Sequence, residues 1–135
     1  MIVVDTNVIC YRWMASQYAP DADAAWQRDP DWIAPFLWRS EFRNALAGAL
    51  RQSSLTLGAS LEIAGLAETM LNGREFIVPS AAVLRLVSKS RCSAYDCEFV
   101  ALAQEQNVPL VTVDQQILNE FPGIAMSLTE FIRAK

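Results

Sequence analysis

The chain has 135 residues, of which 53% are hydrophobic and 19% are charged, with a formal net charge of −4 and no histidine. This length and apolar content predict one compact domain over residues 1–135, without room for a second. The absence of histidine excludes Ser-His-Asp triads, His-pair ribonuclease chemistry and His-containing zinc sites. Any hydrolytic chemistry is therefore expected to rest on carboxylates and a metal.

The beginning of the chain and its cysteines bear on where the protein resides. The start, MIVVDTNVIC, has no basic region and reaches an acid after a short apolar run, so we expect neither a signal peptide nor a membrane anchor. No apolar run approaches the ~20 residues that span a bilayer. Cys10, Cys92 and Cys97 are an odd number in apolar or helical surroundings, which favours free thiols. We therefore expect a cytoplasmic protein with no membrane contact.

Short apolar runs alternate with longer amphipathic segments along the chain, which predicts strands and helices in turn. In chain order we expect strand 2–4, a helix capped by Asn7 and running to about Ser16, a short helix around Trp26, strand 31–35, helix 36–52, helix 58–73, strand 75–79, helix 80–91, helix 93–106, strand 110–114, strand 123–127 and helix 129–134. This alternation predicts an α/β fold, an α/β sandwich with a mostly parallel central sheet.

One helix carries an acid on its apolar side. In SAYDCEFVALA, residues 93–103, helical geometry places Phe99, Val100 and Ala103 on the same side as Asp96, whereas Glu98 points away toward water. A charge on a core-facing stripe costs several kcal/mol unless it is paired or holds a metal. Asp96 is therefore a candidate functional residue.

Three further acids are expected near Asp96 at one edge of the sheet. Asp5 ends the first strand and Asp114 ends strand 110–114, so both project from the carboxyl edge, where ligands bind in parallel sheets. Asp96 lies near the start of the helix that leads into the second of these strands, and a helix N-terminus favours its charge. Glu41 lies one turn into helix 36–52, and the helix turns it inward at the margin of its apolar face.

Four converging carboxylates repel one another, and hard divalent cations with oxygen ligands are the usual compensation. Mg²⁺ or Mn²⁺ held there would lower the pKa of a bound water and stabilise charge on a phosphate. The sequence therefore predicts metal-dependent phosphodiester hydrolysis. The alternative for each acid taken singly is a helix cap, since acids after parallel strands often bind backbone N–H groups.

Four segments carry a family resemblance that extends over essentially the whole chain. VVDTNV at 3–8, Glu41 in RSEFRNAL, SAYDCEFVALA at 93–103 and LVTVD at 110–114 resemble, in order and spacing, the PIN-domain nucleases, particularly the VapC-like toxins of type II toxin–antitoxin pairs. The resemblance implies a single PIN domain, a three-layer α/β/α sandwich with a short parallel sheet.

The resemblance also implies roles for particular residues. Asp5, Glu41, Asp96 and Asp114 match the acidic quartet of the family, which is both its catalytic set and its metal-binding set, with Asp5 and Asp96 as direct Mg²⁺ ligands. The polar positions beside the acids are Thr6, Asn7 and Thr112. These three either orient a ligand or water, or cap local backbone. The chain departs from some relatives at Ile117, where they carry another acid, and this weakens the expectation of a second metal.

The resemblance further implies an RNA substrate of the tRNA or rRNA class, endonucleolytic cleavage, a homodimer and a small cognate antitoxin. Most of the four tryptophans are expected in the core, with one or two lining a dimer or antitoxin groove.

Other functions fit the residues less well. An aspartyl-nucleophile phosphatase generally needs a second Asp two residues after the first, where this chain has Asn7. A phosphorylation receiver needs a Lys after its final strand, where this chain has Ser127. A third alternative is a catalytically silent PIN-like module that serves in binding or regulation.

Overall fold

The computed structural model describes residues 1–134. Its strands are β1 (Ile2–Val4), β2 (Trp32–Pro35), β3 (Glu75–Phe76), β4 (Leu110–Thr112) and β5 (Ala125–Ser127). Its helices are α1 (Thr6–Trp13), α2 (Ala19–Arg28), α3 (Leu37–Arg51), α4 (Leu57–Met70), α5 (Ser80–Val87), α6 (Ala94–Gln106), α7 (Gln115–Glu120) and α8 (Leu128–Arg133).

The five strands form one sheet in the order β3-β2-β1-β4-β5, and every pairing in it is parallel. Right-handed crossovers place α1 to α4 on one face, because the chain moves from β1 through β2 to β3 in one direction. They place α5 to α7 on the other face, because the chain then returns past β1 to β4 and β5. Helix α8 packs on α2 and so lies on the first face. The predicted α/β/α sandwich with a parallel sheet is confirmed.

The core lies on both faces of the short central strands. Strand β1 is fully buried, and α6 contacts β1, β2 and β4. Phe99, Val100 and Ala103 on α6 are buried, as their spacing predicts. The three cysteines are free thiols, and none of the helices within residues 1–134 has the length and apolar character needed to cross a bilayer.

Several element boundaries differ from those expected. Helix α1 begins at Thr6 with Asp5 as its cap, so the prediction that Asn7 caps it is wrong. Strand β3 has two residues because its partner β2 ends at Pro35, where the chain turns into α3. Helix α5 ends at Val87, four residues before the expected end, and α2 is a full helix of 10 residues rather than a short one. Helix α7 was not expected from the sequence, because six residues are too few to show a helical period.

An ion pair fastens the start of α3 to strand β3. The Glu75 side chain is 5% exposed and accepts hydrogen bonds from Arg39 Nε at 2.6 Å, Arg39 Nη2 at 2.8 Å and Trp38 Nε1 at 2.7 Å. This bidentate contact with the Arg39 guanidinium holds the pKa of the Glu75 carboxyl below its usual range. Because Glu41 follows two residues after Arg39, the ion pair also fixes the helical turn that carries Glu41.

Replacing Glu75 with Gln is expected to lower the free energy of unfolding by about 2 kcal/mol. The amide keeps the shape of the side chain but leaves the Arg39 guanidinium without its charged partner. Urea unfolding at neutral pH measures the loss. Glu68→Gln is the matched control, because Glu68 contacts Arg39 only at 3.4 Å in a more exposed position and is expected to cost less than about 0.5 kcal/mol. Equal losses in the two variants would contradict this assignment.

Candidate metal centre at the carboxyl edge of the sheet

The four predicted acids lie around the point where the sheet topology reverses. Strands β1 and β4 are neighbours, and the connections that follow them leave on opposite faces. This divergence opens a crevice beyond their carboxyl ends, which is the usual place for a ligand in an open parallel sheet. Asp5 follows β1 directly, and Asp114 follows β4 after one intervening residue.

Asp5 is the most deeply placed of the four acids, with 8% of its surface exposed. Its Oδ1 accepts the Thr6 backbone N–H at 2.8 Å, and its Oδ2 accepts the Thr112 hydroxyl at 2.7 Å. The Asn7 amide also donates to Oδ2, at 3.4 Å. Oδ1 of Asp5 therefore caps α1, and the contacts to Oδ2 fix the orientation of the carboxylate. The same side chain is both the helix cap and a candidate site residue.

Glu41 reaches the site from α3. Its Oε1 accepts a hydrogen bond from the Thr6 hydroxyl at 2.7 Å, across 35 positions of sequence. Thr6 thus joins two predicted site residues, since its N–H contacts Asp5 and its hydroxyl contacts Glu41. The hydroxyls of Thr6 and Thr112 donate to Glu41 and Asp5, which are distant from them in sequence. Their contacts therefore go beyond the local backbone capping that was one of the two alternatives for them.

Asp96 and Asp114 approach from α6 and α7. Ser93 caps α6 by accepting the Asp96 N–H at 3.1 Å, which places Asp96 in the first turn. Asp114 caps α7, with Oδ1 accepting the Ile117 N–H at 3.0 Å, and its own N–H donates to the Thr112 hydroxyl at 3.0 Å. Thr112 therefore links Asp5 to the backbone of Asp114.

Burial and neighbouring negative charge raise the pKa values of Asp5, Glu41 and Asp96. Burial raises the pKa of Asp5 to about 6, and the charges of Glu41 and Asp96 add to the effect of burial. Burial also raises the pKa of Glu41, with Asp96 contributing, and that of Asp96, with Asp114 contributing. Within residues 1–134 no ion pair joins any of these four acids to an Arg or Lys. Among residues 1–134, no ion pair therefore balances their negative charge.

The donor set fits a hard divalent cation. All the candidate ligands are oxygens, and Asn7 adds a buried Oδ1 without a hydrogen-bond partner among the described residues. In the part of the chain that the structure describes, no three acidic side chains are already close enough to enclose an ion. Binding would accordingly require rotation of one or more of these side chains, and the orphan Asn7 oxygen is available to the ion or to its water.

One residue near the site differs from what the sequence predicts. The expectation that Glu98 faces water is wrong: it is half-buried, and burial together with the charge of Glu41 raises its pKa. The helical pattern of α6 indicates only its sheet side, whereas α5 packs against the side that carries Glu98.

Cys10 also lies near Asp5 and Glu41, and burial with their charges raises its thiol pKa to about 11. The thiol is therefore protonated at neutral pH and is not a nucleophile.

The fold and the acidic centre together define an α/β protein with a carboxylate site suited to divalent cations. The sequence matches the PIN domain family over residues 2–123, and the chain belongs to that family. PIN domains are generally metal-dependent nucleases, which places the protein among hydrolases acting on nucleic acids.

A solved structure supports the fold independently. The chain is similar to the crystal structure of PAE2754 from Pyrobaculum aerophilum, with a TM-score of 0.75 at 20% identity, over 97% of this chain and 92% of that one. None of the curated proteins compared with the chain matches it.

Proposed function

We propose that the protein is a Mg²⁺-dependent endoribonuclease and the toxin of a type II toxin–antitoxin pair. The observation that carries the nuclease proposal is that Asp5, Glu41, Asp96 and Asp114 lie around the reversal point of the sheet with no ion-pair partner among the described residues. A site of this composition needs a cation, and a cation held by carboxylates suits a phosphodiester substrate.

The resemblance to PIN-domain nucleases implies the roles of the acids, and the observed hydrogen bonds support those of the threonines. Asp5 and Asp96 would bind the ion directly, and Glu41 and Asp114 would complete its surroundings. These residues would hold Mg²⁺ or Mn²⁺, which would supply a water of lowered pKa and a positive charge beside the phosphate. Thr112 and Thr6 hold Asp5 and Glu41 in place. Because Thr6 occupies Oε1 of Glu41, its Oε2 is left to accept a hydrogen bond from the attacking water.

The toxin proposal rests on the resemblance of four sequence segments to VapC-like proteins. It brings with it an RNA substrate of the tRNA or rRNA class, a cognate antitoxin, a homodimer and a cytoplasmic location. Three free cysteines support a reducing compartment.

Exposed apolar side chains support the proposal of protein partners. Leu57, Leu61 and Leu66 on α4 are exposed. Of the four tryptophans, Trp32 and Trp38 are core residues, whereas Trp13 and Trp26 are half-buried and line a 260 Å³ groove that Leu66 also borders. Exposed apolar surface beside a groove is typical of a protein interface.

Purified protein is expected to cleave tRNA or rRNA internally in millimolar Mg²⁺ or Mn²⁺. EDTA is expected to stop cleavage, and excess Mg²⁺ to restore it, because the acids alone provide no Lewis acid. Gel analysis of end-labelled RNA measures the internal cuts, and the same sequence as DNA tests the choice of substrate. Expression in cells is expected to arrest growth unless the antitoxin, expected as a small neighbouring gene product, is co-expressed.

Calorimetric titration of the metal-free protein with Mn²⁺ provides a result independent of substrate. Binding that disappears in Asp5→Asn is expected. Absence of Mn²⁺ binding together with intact RNA would contradict the enzyme proposal and leave a silent binding module.

A further inference from the structure

A groove leads away from the acidic centre between α3 and the first turn of α6. Its volume is about 460 Å³, a size suited to a small organic group. The residues that line it are Leu37, Ser40, Glu41, Asn44, Ala45 and Tyr95. Because Glu41 belongs both to this groove and to the acidic centre, a molecule in the groove lies directly beside the proposed reaction site.

Tyr95 is an aromatic residue that the fold does not use for its core. It lies on the first turn of α6 immediately before Asp96, and 63% of its surface is exposed. Phe99, one turn further along the same helix, is 1% exposed. Burial of Tyr95 therefore contributes little to folding, while its ring is presented beside the acids.

The acidity of this surface limits how a nucleic acid can be held. The chain has a net charge of −4, and the groove itself contributes Glu41 and no Lys or Arg among its lining residues. A basic track along the backbone is the usual source of affinity. Stacking of a base on an aromatic ring does not depend on charge, so it can supply affinity where a basic track is missing.

We propose that Tyr95 is a stacking platform for an unpaired nucleobase next to the scissile phosphate, with the base lying in the groove between α3 and α6. The inference rests on the proposed ribonuclease function and specifies the residue that binds the base beside the cut. A paired base is already stacked within its helix and presents no free face to a protein ring. Ser40 and Asn44 place a hydroxyl and an amide on the groove, where they can contact the edge of the base.

A second cleft borders Tyr95 on its other side and is a poorer site for the base. It has a volume of about 280 Å³ and is lined by Val78, Ser80, Val83, Leu84, Ala94, Tyr95 and Glu98. It is smaller than the groove beside Glu41, and its lining includes none of the four acids of the centre, so a base bound there would not adjoin the proposed reaction site. The groove beside Glu41 is therefore the proposed binding place.

Binding of a short unstructured oligoribonucleotide, labelled for fluorescence anisotropy, tests the inference in EDTA, where no turnover occurs. Tyr95→Ala is expected to weaken binding by roughly 10-fold or more, whereas Tyr95→Phe and Tyr95→Trp retain it. A 2-aminopurine base placed beside the cleavage site reports stacking directly, and its fluorescence is expected to be quenched by wild type and not by Tyr95→Ala. In Mn²⁺ the cleavage defect is expected in KM more than in kcat.

Tyr18→Ala is the matched control, because it removes another exposed tyrosine that is not part of the groove lining. Unchanged binding by Tyr95→Ala, or equal losses in Tyr95→Ala and Tyr95→Phe, would overturn the inference while leaving cleavage by wild type intact. A change of molecular mass in Tyr95→Ala without a change in RNA binding would make this face an interface between copies and also overturn it. Wild-type protein that binds RNA through Tyr95 but never cleaves it would refute the proposed function alone.

Discussion

Asp96→Asn is expected to reduce metal-dependent RNA cleavage by at least ~100-fold while the protein stays folded. The amide preserves the size of the side chain and its place in the first turn of α6, but it removes the negative charge that a Mg²⁺ ligand supplies. Because burial and Asp114 disfavour the ionised form of Asp96, removing the charge is not expected to lower the melting temperature. Cleavage rates with end-labelled RNA and a thermal melt measure the two quantities.

The control for Asp96 must lie on the same helix and outside the acidic centre. Glu105 is exposed on α6, so Glu105→Gln is expected to cleave at the wild-type rate. Glu98 is unsuitable as a control, since it is half-buried and interacts with Glu41. Undiminished cleavage by Asp96→Asn would refute the proposed mechanism.

The difference in free energy of unfolding between Asp5→Asn and wild type, both without metal, is expected to favour the variant more at neutral pH than at pH 4. Folding raises the pKa of Asp5 from 3.8 to about 6. At a pH between these two values, Asp5 is therefore protonated in the native state and ionised in the unfolded state. The favourable contribution of protonated Asp5 is complete below about pH 4 and is lost as pH rises through about 6. This change corresponds to about 3 kcal/mol. Asp5→Asn has no carboxyl group to ionise at this position, so its free energy of unfolding does not lose this contribution as pH rises.

The measurement is the difference in free energy of unfolding between Asp5→Asn and wild type in EDTA, from urea curves at pH 4 and pH 7. The difference is expected to shift by about 2.5 kcal/mol in favour of the variant, slightly less than the full change because unfolded Asp5 is already partly ionised at pH 4. Glu62→Gln, which changes an exposed acid on α4, is expected to show little pH dependence. Mn²⁺ is expected to raise the melting temperature of wild type and not of Asp5→Asn, because only the carboxylate pairs with the ion. A pH-independent difference would contradict the assigned pKa.

The comparison of sequence with structure separates strong local signals from weak ones. The buried strand at residues 2–4 and the apolar stripe of α6 were predictable, because a run of β-branched residues and a helical period over three turns are both distinctive. Helix α7 and the two-residue strand β3 were not predictable, because short elements have no period and are set by what they pack against. The cap of α1 was assigned to Asn7 rather than Asp5 because both are good cap residues two positions apart.

The site shows the same division. The four acids are predicted as site residues from their places at strand ends and on helix faces, and the family resemblance predicts the same residues. The connections made by Thr6 and Thr112 span 35 and 107 positions, and no local pattern predicts such hydrogen bonds. Helical periodicity does not predict the environment of Glu98, because it does not include α5, which packs against the side of α6 that carries Glu98.

By itself, the sequence determined the absence of histidine chemistry, the α/β alternation and the identity of the acids, because these depend on residue type and short-range periodicity. Only the tertiary structure decided that Thr6 joins Asp5 to Glu41 and Thr112 joins Asp5 to the backbone of Asp114. It also decided that Asn7 leaves a buried oxygen without a partner among the described residues, and that Tyr95 stays exposed on a groove beside Glu41. These features depend on which elements become neighbours. In this protein the reversal at β1 and β4 brings together the ends of segments that lie more than 100 residues apart.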